Sequence, residues 1–172
     1  MVYLISNILT KDECKYLTEQ FDIERTYNES VDYEYAGTNV SYGFEPSFVF
    51  NTYLDKLKFK PNMYDLLNVN TYVREYVNHS KLDKHIDRKE ISVTMSICLE
   101  STIDKEWPLF AEIDGKEYSF NTDVGGGILL FGADKNIHWR NTLTCKENER
   151  VLQFFLHWKP VDYIIKKTKS LI

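Results

Sequence analysis

The sequence predicts a mixed fold that is mainly β: a two-layered sheet or barrel with helices packed on one side. Three observations lead there. Apolar residues recur at helical spacing in the first part of the chain, then switch to two-residue alternation from about residue 69. The alternating runs are short and separated by turn-forming residues. Hydrophobic residues make up 43% of the chain and aromatic residues 15%, the composition of a polypeptide that buries a core.

Each element has its own justification. Val2 to Ile5 reads as a short strand. Thr10 and Glu13 form a capping box, in which hydroxyl and carboxylate satisfy the free N–H groups of a helix start. A helix from about 11 to 22 follows, with Cys14, Leu17 and Phe21 on one side. Phe50, Tyr53, Leu54 and Leu57 repeat at helical spacing and predict a second helix. Pro61 opens a third, carrying Met63, Tyr64, Leu66 and Leu67. Between them, Tyr27 to Phe48 is irregular and rich in tyrosine, with Gly37 and Gly43. It reads either as a lid over a substrate or as a loop packed on the sheet.

The strands come next. Asn70 to Val77 is extended. Ile91, Val93, Met95, Ile97 and Leu99 alternate with Ser92, Thr94, Ser96 and Cys98, giving one apolar face and one small, hydroxyl-rich face. Trp107 to Ile113 and Glu117 to Phe120 flank the hairpin signal Asp114-Gly115. Gly125-Gly126-Gly127 leads into Ile128 to Phe131, and Arg150 to Trp158 closes the set. At 172 residues this predicts one domain, 1–172, with helical support over about 1–68 and a sheet core over about 69–160.

Composition narrows the function classes. No run approaches the roughly 18 unbroken apolar residues of a membrane span. The N-terminus lacks a basic start, so it does not read as a secretory signal. Cys14, Cys98 and Cys145 are odd in number and form no CxxC pattern, which predicts reduced thiols in a cytoplasmic protein. A net charge of −5 argues against nucleic acid as a partner. The lysines between Ile164 and Lys169 read as a solvated tail.

The chemistry rests on few residues. In His85-Ile86-Asp87 an extended backbone would turn imidazole and carboxylate to the same side, so both can reach one ion; alone, such a triplet also describes a solvated turn. His138 follows the glycine-led strand, and sheet pairing would bring it beside that pair. Two histidines and a carboxylate leave coordination positions open for iron chemistry, although the same set serves a zinc hydrolase. His79 reads as a loop residue and His157 as a packed or rim histidine. Arg150 shares its strand face with Leu152, Phe154, Leu156 and Trp158, and so needs an anionic partner, either a core carboxylate or that of a ligand. Arg140 competes for the latter role. Thr94 and Ser96 either line a cavity or pack on a half-exposed strand.

These residues fall into a pattern. The run from Tyr76 to Trp158 resembles the 2-oxoglutarate/Fe(II) oxygenase superfamily, in its prolyl-4-hydroxylase-like branch. EYVNHSKLDKHID resembles the branch's tyrosine, loop and H-x-D. ISVTMSICLE…WPLF resembles the strand pair that follows, VGGGILLFGADKNIHWR the strand delivering the second histidine, and ERVLQFFLHW the last core strand. The opening strand and ILTKDEC helix match more loosely. Three departures stand out. His79 replaces the usual glycine after the tyrosine, Gly125 to Gly127 replace a proline-glycine-acid lead, and extra residues fall around Thr144–Asn148.

The resemblance implies a double-stranded β-helix (jelly-roll) core with N-terminal helices on one sheet. It implies Fe(2+) held by His85, Asp87 and His138, and 2-oxoglutarate held by Arg150 with Tyr76 and Thr94 beside it. Ascorbate is a further implied cofactor. The implied reaction couples oxidative decarboxylation of 2-oxoglutarate by dioxygen to C–H hydroxylation, with a prolyl residue of a protein or peptide as first substrate. A free amino acid or small metabolite comes next, and a non-catalytic jelly-roll metal-binding module is the contrasting class.

Overall fold

In the computed structural model, the described residues are 1–27, 39–41 and 66–160. Among them the chain forms strand β1 (Val2–Ile5), helix α1 (Lys11–Tyr27), β2 (Asn39–Ser41), β3 (Leu66–Tyr76), β4 (Leu82–His85), β5 (Val93–Ser101), β6 (Leu109–Ile113), β7 (Lys116–Phe120), β8 (Gly127–Phe131), β9 (His138–Arg140) and β10 (Val151–Pro160). They make two antiparallel sheets: a six-stranded one ordered β1-β8-β5-β10-β3-β2 and a four-stranded one ordered β4-β9-β6-β7. This is the mainly β, two-sheet jelly roll that the sequence predicts.

Helix α1 begins as its capping box requires. The backbone N–H of Thr10 donates to the Glu13 carboxylate at 2.7 Å, and the Glu13 N–H donates back to the Thr10 hydroxyl at 3.2 Å. Cys14, Leu17 and Phe21 then pack onto the larger sheet, against Val93, Met95, Ile97 and Leu99 of β5 and Leu152, Phe154, Leu156 and Trp158 of β10. Each such side chain contributes roughly 1.5–3 kcal/mol by leaving water. Period-two alternation turns Thr94, Ser96, Gln153, Phe155 and His157 to the other face, toward the smaller sheet. The larger sheet is thus buried on both sides, with an oily outer face and a polar inner one.

Two turns explain themselves. Asp114 and Gly115 both take positive φ, 51° and 72°, the requirement of the tight β6–β7 hairpin. His79 has φ 68° in the turn joining β3 to β4, a left-handed conformation that explains why a glycine would suit that position.

Some expectations shift. Leu66 and Leu67, expected in a helix, begin β3, because they pair with Pro160 and Lys159 of β10. The expected helix over 50–57 and most of 61–67 lie outside the described residues. So does the expected lid, apart from Tyr27 at the end of α1 and residues 39–41, whose strand pairs with β3. The three cysteines are free thiols, and burial pushes Cys14 and Cys98 up to about 11. No helix among the described residues is long and apolar enough to cross a membrane.

Candidate metal centre

Strand pairing assembles the site. On the smaller sheet His85 of β4 lies opposite His138 of β9, and Asp87 follows β4 by two residues. The Asp87 N–H donates to the Ala133 carbonyl at 2.8 Å, which ties the segment after β4 to the turn after β8. One ligand atom from each of His85, Asp87 and His138 lies within 4.8 Å of the others. Asp87 Oδ1 stands 3.6 Å from His85 Nε2 and 3.7 Å from His138 Nε2. Those gaps are long for hydrogen bonds and suit three atoms that share an ion.

The tautomers agree with this. His85 Nδ1 lies 2.8 Å from the Asp83 carbonyl and His138 Nδ1 lies 3.0 Å from the Asn136 carbonyl. A carbonyl only accepts, so each Nδ1 carries the proton and each Nε2 keeps its lone pair for a metal. Thr94 Oγ1 donates to Asp87 Oδ2 at 2.5 Å, which occupies the second carboxylate oxygen and leaves Oδ1 facing the histidines.

Electrostatics favours an anionic carboxylate here. Burial pushes the Asp87 carboxyl up, but His85, His138 and the Thr94 hydroxyl more than offset it, and the carboxyl is held below its ordinary value. His85 is also opposed by burial, yet Asp87 and the Asp83 carbonyl raise it. His138 is only 5% exposed, and burial lowers it despite Asp87.

A cavity of about 440 Å³ opens over the triad, walled by Tyr72, Arg74, Thr94, Ser96, Phe155 and His157 among others. Tyr72 and Phe155 stack with ring centres 4.9 Å apart, and His157 tilts against Tyr72 at 5.4 Å. His157 bonds Asn70 Oδ1 at 3.0 Å, and burial lowers its pKa to about 4, so it stays neutral. His157 is the packed histidine expected from its phase opposite to Arg150, and its packed position is in the cavity wall.

Arg150 stands elsewhere. The sequence phase of Arg150 with Leu152 and Trp158 holds, but that face is the one covered by α1. Arg150 pairs with Asp22 of α1 at 2.6 Å, Glu75 of β3 at 3.2 Å and Glu100 of β5 at 2.5 Å. It is not among the residues lining the triad cavity. Tyr76 is fully buried, accepts a bond from Arg74 Nη1 at 3.4 Å and meets Trp107 edge-on at 4.7 Å. Arg140 is buried, donates from Nη1 to the Trp107 carbonyl at 2.6 Å, and has its pKa lowered by burial. The anionic partners of Arg150 are thus carboxylates of the chain, and two other arginines, Arg74 and Arg140, are buried on the inner side.

The two-sheet jelly roll, with two histidines and a carboxylate at one end of its inner face, is a fold that solved prolyl-4-hydroxylase structures share. Among solved structures, the chain is similar to a prolyl-4-hydroxylase from Pseudomonas putida, with TM-score 0.70, 14% identity, and 91% of each chain covered. It is also similar to the viral collagen prolyl hydroxylase of Paramecium Bursaria Chlorella virus-1, in its 2-oxoglutarate complex, with TM-score 0.64 and 12% identity over 91% of this chain and 95% of that one. A prolyl hydroxylase from Trichoplax adhaerens, in complex with a hypoxia inducible factor peptide, gives TM-score 0.61 and 14% identity over 91% and 82%. No protein-family model matches the sequence, and no curated protein matches it either.

Proposed function

We propose that this protein is an Fe(II)- and 2-oxoglutarate-dependent dioxygenase that hydroxylates a C–H bond, with a prolyl residue of a protein or peptide as substrate. The observation that carries the reading is the convergence of His85 Nε2, Asp87 Oδ1 and His138 Nε2, with both Nδ1 atoms held by carbonyls. Three protein ligands leave coordination positions for a cosubstrate and dioxygen. The peptide substrate follows from the likeness to enzymes that act on prolyl residues.

Bound iron would supply the redox chemistry that oxidises 2-oxoglutarate to succinate and carbon dioxide and inserts one oxygen atom into substrate. The chain's own residues do the rest. His85, Asp87 and His138 would hold the ion, with the cavity beside them to admit the cosubstrate. Thr94 fixes the rotation of the Asp87 carboxylate. Tyr72, Phe155 and His157 wall the cavity and offer aromatic faces to a ring or peptide. Arg74, which lines the same cavity, supplies positive charge there.

The test is anaerobic addition of 2-oxoglutarate to the Fe(II) protein, followed by succinate measurement in air with a panel of prolyl peptides and free amino acids. A changed visible spectrum and peptide-stimulated succinate are expected. A zinc hydrolase or a non-catalytic metal module would leave the spectrum indifferent to 2-oxoglutarate. Stimulation by free amino acids alone would move the substrate from peptide to metabolite.

A further inference from the structure

A second cavity of about 410 Å³ is separate from the one over the triad. Ile128 is the residue common to both walls. Ser96, in the triad cavity, donates to Gln153 Oε1, in the second, at 2.8 Å. A packed side chain and a closed hydrogen bond therefore partition the two spaces.

The floor of the second cavity is buried and cationic. Arg140 lines it beside Trp107, Val151 and Gln153, and is 4% exposed. Its Nη1 donates to the Trp107 carbonyl at 2.6 Å, and its guanidinium lies over the Trp107 ring at 4.8 Å. Its Nε has no hydrogen-bond partner and no carboxylate pairs with it among the described residues. The ionisable groups that act on it are a phenol and a thiol, Tyr76 and Cys98, and burial pushes the thiol up to about 11. A guanidinium cannot shed its proton to escape burial, so the charge stays and is costly until an anion meets it. Arg150, with three carboxylates around it, shows how this chain satisfies an arginine that serves the fold.

The rim has the opposite sign. Asp104, Glu106 and Asp123 line it and are exposed, against one lysine, Lys105. A simple anion would have to pass three carboxylates, and a simple cation would end against a guanidinium. A molecule carrying both charges, with its carboxylate leading, meets a complementary partner at each end. The volume is that of a small-molecule site, with apolar walls and a few converging polar groups.

We propose that this cavity is a second ligand site, distinct from the metal centre, for a small organic zwitterion whose carboxylate pairs with Arg140 and whose cationic group lies among Asp104, Glu106 and Asp123. The site needs neither iron nor a cosubstrate, and it stands whether or not the triad turns over 2-oxoglutarate.

The test is nuclear magnetic resonance of the Trp107 indole N–H, assigned by its loss in Trp107→Phe, with diamagnetic Zn(II) on the triad. The probes are ε-aminocaproate, caproate, which lacks the ammonium group, and hexylamine, which lacks the carboxylate. The zwitterion should shift the Trp107 signal saturably and bind at least about 10-fold more tightly than caproate, with no response to hexylamine. Added 2-oxoglutarate should not displace it. Arg140→Gln, shown to be folded by its thermal melt, should lose the response, and the pair Glu106→Gln and Asp123→Asn should bring the zwitterion down to the level of caproate. The series of probes and the competition use wild type alone, so they decide the matter even if a variant fails to fold. No saturable shift with either carboxylate, an undiminished response in folded Arg140→Gln, or displacement by 2-oxoglutarate overturns the second site. Equal binding of ε-aminocaproate and caproate overturns the zwitterion as its ligand.

Discussion

The two faces of the larger sheet carry the same kinds of residue in opposite circumstances. On the outer face Arg150 sits among Asp22, Glu75 and Glu100, locked to α1 at the edge of an apolar cluster. Inside the barrel, across from the other face, Arg140 stacks on Trp107 with no carboxylate beside it among the described residues. Charges on the outer face are neutralised within the chain and serve the fold. Inside, Arg140 has no such described partner. Position along the sequence does not separate the two; the phase of the strand does.

The sharpest way to break this contrast is to remove the inner ligands. His85→Ala, Asp87→Ala and His138→Ala should each lower Mn(II) affinity by more than about 100-fold and abolish 2-oxoglutarate turnover, with the melting transition retained. Each side chain touches the cavity more than the core, so stability should survive. Calorimetry with Mn(II) checks it, and near-normal affinity in any one variant removes that residue from the centre.

The outer face should answer in the other currency. Arg150→Ala removes the cation that Glu75 (2% exposed), Glu100 and Asp22 share, so we expect a loss of about 2–4 kcal/mol in unfolding free energy. The half-exposed Asp22 contributes little of that, because solvent screens it. Urea unfolding measures the loss. A stable Arg150→Ala protein with weakened 2-oxoglutarate binding would reverse the assignment of the two faces.

This contrast also marks how far the sequence could be read. Alternation in β5 and β10, the capping box at Thr10 and the Asp114-Gly115 turn are local signals, and the structure follows them. The triad was legible because H-x-D and a histidine after a glycine-led strand leave few pairings. What the sequence could not decide was which face of β10 meets the helix. Leu152 to Trp158 is apolar at nearly every position, so hydrophobicity gives no direction. The partners that settle it, Asp22 and Glu75, are far away along the chain. The phase of Arg150 and the packing of His157 were legible, but not which of the two faces α1 covers. Arg74 carries no local signal in the sequence that marks it as an inner-face cation.

A smaller effect should come from His157, which is neutral inside while its unfolded counterpart titrates near 6.5. Its folded pKa of about 4 means that the unfolded chain binds a proton first as pH falls. Stability on its account is therefore intact above about pH 6.5 and falls between there and about 4, by up to roughly 3 kcal/mol. His157→Phe loses the Asn70 bond but also this proton. The stability gap between wild type and His157→Phe should narrow steadily as pH drops from 7 to 4, measured by urea unfolding of the metal-free protein. A gap that stays constant would mean that His157 titrates alike in the folded and unfolded chain.

The smallest effect, and the finest probe of the inner face, belongs to Thr94. Its hydroxyl donates to Asp87 Oδ2 from the neighbouring β5, and Val93 and Met95 on either side of it belong to the outer core. Thr94→Val keeps the shape and the β-branched preference for a strand while deleting one hydrogen bond. The carboxylate then rotates more freely and its second oxygen loses its partner. Bonds of this kind to a charged acceptor are worth about 1.5–3 kcal/mol, part of which water in the cavity will restore. Mn(II) affinity should therefore fall by about 10-fold, within the range seen when a metal ligand loses its supporting hydrogen bond. Thr94→Ser, which retains the hydroxyl, should recover most of it. Equal weakening in the serine and valine variants would show that the methyl group, and so the packing of β5, positions Asp87, and the hydroxyl would lose its place in the centre.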